Sequence, residues 1–304
     1  MRSTPHMLFL LASLPAINAG SSSSSKFISR TWSNRLGLPL TPIATGVWAA
    51  ERPFTWNGID VGGRSAIMRT ADGGLFVHSP VNWTAELIES VRGLGGEIKY
   101  ILSPNLEHLK YARQSAQLFP NAAMYGCRGV REALPDIAWT SIITYDTPPE
   151  LAESIDTLFF DCETNPFNGR PFFNEVVVFH RQSKAFICSD TFWNYPRTAI
   201  PNYFGVSGTG DVHKCSKVPV NEDKLEAVSV PIGTKLWKFG MDRIYAPFYK
   251  RLMVRGQERI DRYNSIVNTI LNEWEPELIV PCHGDIVRGK ELCREVLQRH
   301  FSRQ

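Results

Sequence analysis

Ile98-Lys99-Tyr100-Ile101-Leu102-Ser103-Pro104-Asn105-Leu106-Glu107-His108 is a strand that ends in polar and titratable side chains. Ile98 to Leu102 is a compact apolar run, and Ser103-Pro104 closes it, because proline offers no N–H to a ladder. Leu106 to Phe119 then reads as a helix closed by Pro120, with Ala122 to Gly126 as the next strand. Upstream, short β-branched and aromatic runs at Gly46 to Ala49, Ser65 to Thr70 and Leu75 to His78 form a meander, and Asp72-Gly73-Gly74 is the hairpin turn between the last two. Ala85, Leu87, Ile88, Val91 and Leu94 recur near helical spacing, with Thr84 as N-cap and Gly95-Gly96 as the stop. Strands alternating with helices place the chain in the α/β class with a layered sheet.

The second half repeats this grammar. Thr157 to Asp161, Val176 to His180 and Ala185 to Cys188 read as strands, with Arg181-Gln182-Ser183-Lys184 as a turn. A helix over about Ile260 to Trp274 precedes a buried strand, Leu278 to Pro281, and a terminal helix runs from about Lys290 to His300. Three strand ends then carry chemistry: the one already quoted, Cys188-Ser189-Asp190, and Pro281-Cys282-His283-Gly284. Loops beyond strand ends are where α/β proteins build their sites, so these residues are expected to work together. Taken singly, His108 reads as a polar contact at a helix start, Asp190 as an N-cap and His283-Gly284 as turn chemistry.

Composition bounds the function classes. At 304 residues, 43% hydrophobic and with 17 Phe, 9 Tyr and 8 Trp, the chain buries a sizeable core and is neither disordered nor coiled coil. Its net charge of +3 comes from residues 1–50, which hold Arg2, Lys26, Arg30 and Arg35 and no acid. The near-neutral remainder has no electrostatic footprint for nucleic acid, and none is expected as a partner. None of the six cysteines forms a CxxC pair, which argues against a zinc ribbon or a thioredoxin-like motif. Met7 to Ile17 is an apolar run of signal-peptide length, followed by small residues and a Ser- and Arg-rich stretch with the composition of a transit peptide. That pairing predicts a plastid protein, with secretion behind a Ser-rich linker as the alternative. The expected organisation is a leader and linker over 1–44 and one domain over 45–304, with an aromatic and basic insertion at about 195–255. No later segment is apolar for long enough to span a membrane. Lys235 to Arg251, rich in both aromatic and basic residues, is expected to pack as part of that insertion, to cap a site or to lie against a membrane surface.

The three strand ends resemble the metallo-β-lactamase-like superfamily, whose signature is HxHxDH after a strand, then a bridging Asp after a strand pair, then a His before Gly. On that pattern His108 falls on the motif's last His, Glu107 on its Asp, and Ser103 and Asn105 on its first two His, while Asp190 and His283 match the bridging Asp and final His. Asn105-Leu106-Glu107-His108, with Trp237 to Asp242 and Pro247-Phe248-Tyr249, resembles one degenerate branch, a domain of unknown function found in bacteria and plastid-bearing eukaryotes. The resemblance covers about Gly46 to His300 and implies a four-layer αββα sandwich. It further implies one divalent metal, zinc before iron or manganese, held by His108, Asp190 and His283 with Glu107 as ligand or orienting group. Ser103 and Asn105 are poor zinc ligands, so a second ion is not expected. The implied activity is metal-dependent hydrolysis of a small-molecule substrate, with Asp190 in the catalytic centre and Asn105 or Glu175 positioning water or substrate. The competing reading is a non-catalytic descendant of the fold that carries no metal, uses these residues as a hydrogen-bonded network and binds a protein partner.

Overall fold

The computed structural model describes residues 29–169, 171, 174–195 and 229–302. From the N-terminus it contains β1 (Thr41–Ala44) and β2 (Val47–Arg52), a separate hairpin of β3 (Thr55–Trp56) and β4 (Ile59–Asp60), then β5 (Gly63–Arg69), β6 (Leu75–His78) and helix α1 (Ala85–Arg92). β7 (Ile98–Ser103), α2 (Ala112–Leu118), β8 (Ala123–Gly126), the short α3 (Val130–Ala133) and β9 (Ser141–Ile142) complete a seven-stranded sheet, ordered β1-β2-β5-β6-β7-β8-β9. A five-stranded sheet follows from β10 (Ile155–Phe160), β11 (Glu175–His180), β12 (Ala185–Cys188), β13 (Leu278–Pro281) and β14 (Val287–Arg288), in chain order. Its outer face carries α6 (Gln257–Asn268) and α7 (Lys290–Phe301). Between β12 and α6 lies α4 (Ile232–Gly240), which runs through a wide π turn (Met241–Tyr245) into the single turn α5 (Ala246–Phe248) and a second π turn (Tyr249–Met253). Pro247 supplies no N–H to the ladder, and the helix widens on both sides of it.

The second sheet is covered on both faces, and its strands show this residue by residue. Val176 and Val178 join the core shared with the first sheet, whereas Val177 and Phe179 join the cluster under α6 and α7. Ala185 and Ile187 divide from Phe186 and Cys188 in the same way, as do Leu278 and Val280 from Ile279. Two-sided burial is why these strands read as unbroken apolar runs, and each large side chain so buried contributes about 1.5–3 kcal/mol. This is the expected four-layer αββα arrangement, with helices outside two stacked sheets.

Most sequence-predicted elements stand within a residue or two of their expected ends. The Asp72-Gly73-Gly74 turn joins β5 to β6 in antiparallel register, and Thr84 Oγ1 accepts the Leu87 amide at the start of α1. Three elements differ from expectation. The helix expected from Leu106 begins only at Ala112: Asn105 Oδ1 accepts both the Glu107 and His108 amides as an N-cap side chain does, yet the stretch that follows stays in bends and turns up to Tyr111. The α6 helix begins at Gln257 and continues in π turns to Trp274, ending where Glu275 takes a left-handed backbone, φ 42°. The folded part also starts before residue 45: Trp32, Asn34 and Arg35 are buried, and β1 is the edge strand of the first sheet. The leader motifs before residue 29 and residues 196–228 of the insertion lie outside the described residues. Among the described residues no helix is long and apolar enough to cross a membrane.

Candidate metal centre

β6 and β7 are parallel neighbours in one sheet and β12 and β13 in the other, so the C-terminal ends of all four open on one side of the sandwich. There the chain places Ser79 after β6, Asn105 and His108 after β7, Asp190 after β12 and His283 after β13. His108, Asp190 and His283 converge, each offering one ligand atom within 4.8 Å of the others. His108 Nε2 is 3.1 Å from Asp190 Oδ2 and His283 Nε2 is 3.5 Å from Asp190 Oδ1. A tetrahedral ion with bonds of about 2.0–2.1 Å spaces its ligand atoms about 3.4 Å apart, so the donor set fits one such ion.

The far sides of both imidazoles are anchored. His283 Nδ1 lies 2.7 Å from the Gly62 carbonyl oxygen, which can only accept, so Nδ1 carries a proton and Nε2 keeps the inward lone pair. Burial, more than any neighbour, holds the His283 pKa below its ordinary value and keeps that lone pair free. His108 Nδ1 is 2.6 Å from Ser79 Oγ, a residue at φ 52°, where a non-glycine backbone is strained. Burial works against the charged form of His108, yet the Asp190 carboxylate beside it, helped by the Cys282 thiol, carries its pKa well above the ordinary imidazole range. Burial likewise opposes ionisation of Asp190, and His108 followed by His283 overcomes it and holds the carboxyl below its usual range.

The loops are built to keep these groups in place. Glu175, fully buried at the start of β11, accepts the amides of Ser189 at 2.6 Å, Asp190 at 2.7 Å and Thr191 at 2.8 Å. Burial and then the Asp190 charge push its pKa up, while those amides favour the ionised form. Asn105 donates to Asp190 Oδ2 at 2.7 Å and to Ser189 Oγ at 3.3 Å. Gly284 has φ 95°, and a Cβ there would stand 2.1 Å from the Asn194 carbonyl oxygen; only glycine lets the His283 loop lie against residues 193–195. Under that loop the Arg64–Glu51 pair is buried, and Arg64 also donates to the Pro281 carbonyl.

Of the sequence-predicted residues, His108, Asp190 and His283 form the cluster. Glu107 does not join it: its carboxylate lies at the rim of the adjoining cavity, with a pKa raised by partial burial and then by Asp190. Asn105 and Glu175, expected to position water or substrate, instead hold the 189–191 loop and do not line the cavity. Cys188 and Cys282 are buried beside the site and outside the cluster. Ser79 was legible only as a polar residue ending β6, level with the end of β7; the Arg64–Glu51 pair and the cavity left no local signal.

That cavity, about 340 Å³, opens above the cluster. Its floor is Ser79, His108, Asp190 and His283, and its walls come from the β3–β4 hairpin, residues 193–195 and α4 with its first π turn.

Comparison with known proteins agrees with this architecture. The metal-soaked Flv1 flavodiiron core from Synechocystis sp. PCC6803 superposes with a TM-score of 0.52 at 12% identity, covering 86% of this chain and 60% of that one. The rubredoxin oxygen:oxidoreductase of the anaerobe Desulfovibrio gigas gives 0.53 at 14% identity, again over 86% and 60%. VMB-1 gives 0.50 at 11% identity over 92% of this chain and 97% of that one. The chain thus spans about three-fifths of the length of the first two, and what it shares with them is the metallo-β-lactamase-like fold. No curated protein matches the sequence. The family model described as a domain of unknown function, DUF4336, matches residues 45–212, more than half of the sequence, and the chain belongs to that family.

Proposed function

We propose that this protein is a metal-dependent hydrolase with a single metal site held by His108, Asp190 and His283. The observation that carries the reading is the pairing of His283 Nε2 with Asp190 Oδ1 at 3.5 Å. With Nδ1 protonated against Gly62, a neutral imidazole presents a lone pair to a carboxylate, and two acceptors face each other unless a cation lies between them. A divalent ion there would polarise a substrate carbonyl and lower the pKa of water from 15.7 to about 7. The chain's own residues do the rest. Gly62 and Ser79 fix the imidazole orientations, Glu175 and Asn105 hold Asp190 in place, and the apolar walls exclude bulk water. The Asn105 amide is taken up by Asp190 and Ser189, and Ser103 Oγ is fully buried, which supports one ion rather than two.

Elemental analysis of the purified full chain beside His108→Ala and His283→Ala tests this. About one zinc, iron or manganese per chain, lost in both variants, is the expected result, and metal-free protein that takes up none of the three from solution sinks it. A second reading, a non-catalytic scaffold, is favoured by the closed His108–Asp190–Asn105 hydrogen bonding. It predicts that both variants lose stability and that no metal is found.

A further inference from the structure

The cavity walls carry a chemical preference of their own. Seven aromatic side chains and Met241 line them. Two of the three indoles commit their N–H to protein acceptors: Trp237 Nε1 donates to Tyr195 Oη at 2.8 Å and Trp193 Nε1 to Asp242 Oδ1 at 3.0 Å. Ring surface dominates the walls, with Trp56 and Trp237 in contact, tilted at 56° and their centroids 5.1 Å apart. Cations are scarce. The Arg64 guanidinium is committed to Glu51 and Pro281, which leaves Lys110 at the mouth, its ammonium 4.8 Å from the Phe54 ring centroid. One ammonium suits a carboxylate or a carbonyl dipole better than a multiply charged phosphate. The volume falls at the low end of small-molecule sites, about 300–1,000 Å³.

We propose that this cavity receives a flat aromatic acyl group, so that the substrate class is an aromatic carboxylic ester or thioester; this rests on the hydrolase reading of the cluster below it. The acyl carbonyl lies toward His108, Asp190 and His283, and the ring packs against the surface that Trp56 and Trp237, already in contact with each other, present to the cavity. In the reaction the oxygen of water bonds to the acyl carbon and the acyl–O or acyl–S bond breaks. One proton of that water passes to the departing alkoxide or thiolate, the other to solvent, and an arylcarboxylate remains.

Calorimetric titration of the full chain with 2-naphthoate, octanoate and glucose 6-phosphate tests the preference without any turnover. 2-Naphthoate is expected to bind at least about tenfold more tightly than either of the others, since ring-to-ring contacts add to apolar burial. Trp56, 38% exposed on a two-residue strand, can be changed without disturbing the core. Trp56→Ala is expected to weaken 2-naphthoate about tenfold, and Trp56→Phe to restore it to within about threefold. 2-Naphthoate binding no tighter than octanoate or glucose 6-phosphate, or indifferent to Trp56→Ala, overturns the proposal. Tight aromatic binding by protein that takes up no metal overturns the hydrolase reading and leaves the aromatic preference standing. Metal bound in wild type and lost in His283→Ala, with no aromatic preference, does the reverse.

Discussion

Glu175 and Asp190 are carboxylates whose neighbourhoods meet at one loop, yet they have opposite fates. Every described partner of Glu175 is a donor: three backbone amides and the Asn105 amide nitrogen at 3.5 Å. Asp190 receives the Asn105 amide on one oxygen and faces two imidazole nitrogens, with the cavity beyond. Burial pushes the Glu175 pKa up, whereas the histidines bring that of Asp190 down. One acid is enclosed as a strut, and the other is held charged at the cavity. An enclosed carboxylate and one that faces the cavity therefore meet at a single hydrogen-bonded loop.

The contrast breaks most sharply with paired isosteric changes. Glu175→Gln turns an amide N–H₂ toward backbone N–H groups and leaves at least one of them buried without an acceptor, at a cost of about 1–3 kcal/mol. Asp190→Asn keeps the shape and loses the charge; in metal-free protein it should cost less than half as much while abolishing metal uptake. Urea unfolding and metal content, measured on both variants, check the pair. Equal stability losses would mean that Asp190 is a strut too.

A second test loads the same loop from behind. His300 on α7 donates its Nε2 proton to the Thr191 carbonyl at 2.9 Å, and its ring lies edge-on to Phe192 and Trp193. Burial, with Lys250 adding to it, lowers its pKa to about 4. A base whose folded pKa is depressed resists protonation only in the folded state. Its stability contribution is therefore complete above the unfolded value near 6.5 and is lost as pH falls from there toward 4, by up to about 3 kcal/mol. Wild type should lose about 2–3 kcal/mol more than His300→Gln between pH 7 and pH 4.5 in urea unfolding. Parallel losses would show that this end of the loop does not depend on the neutral ring.

What was legible in the sequence follows the same division. Nine of the strands, with His108, Asp190 and His283 beyond the ends of three of them, could be read because apolar runs, a proline stop and a His-Gly pair are local signals; the edge strand β1 and the short β3, β4, β9 and β14 could not. Glu107 is implied as a ligand because it falls on the Asp of the family motif. In the structure Asn105 Oδ1 holds the Glu107 and His108 amides, the helix begins only at Ala112, and Glu107 lines the cavity outside the cluster. Glu175 was read as a working group because nothing local reveals that its oxygens meet amides from another strand end. The cavity was out of reach for a related reason: Trp56, Tyr111, Trp193 and Trp237 come from four separate parts of the chain and meet only once α4 packs on the β3–β4 hairpin.

The smallest expected effect sharpens the open half of the comparison. Ser79 touches no part of the 189–191 loop that the structure records; its hydroxyl meets His108 Nδ1 at 2.6 Å from a left-handed backbone that only a few per cent of non-glycine residues adopt. Ser79→Ala removes that contact and leaves the His108 ring less fixed, while Glu175, Asn105 and Asp190 keep all their partners. Losing a group that orients a ligating imidazole costs about 10–100-fold in metal affinity. Competition with a chelator of known affinity should show a weakening of that order, with little change in the urea midpoint. Ser79→Gly relieves the strained backbone but lacks the hydroxyl, so it should match Ser79→Ala in metal affinity and equal or exceed it in stability. If Ser79→Gly instead binds metal as wild type does, the hydroxyl is not what orients His108, and the strained turn at Ser79 owes its conformation to the Leu102 carbonyl that accepts its amide at 2.9 Å.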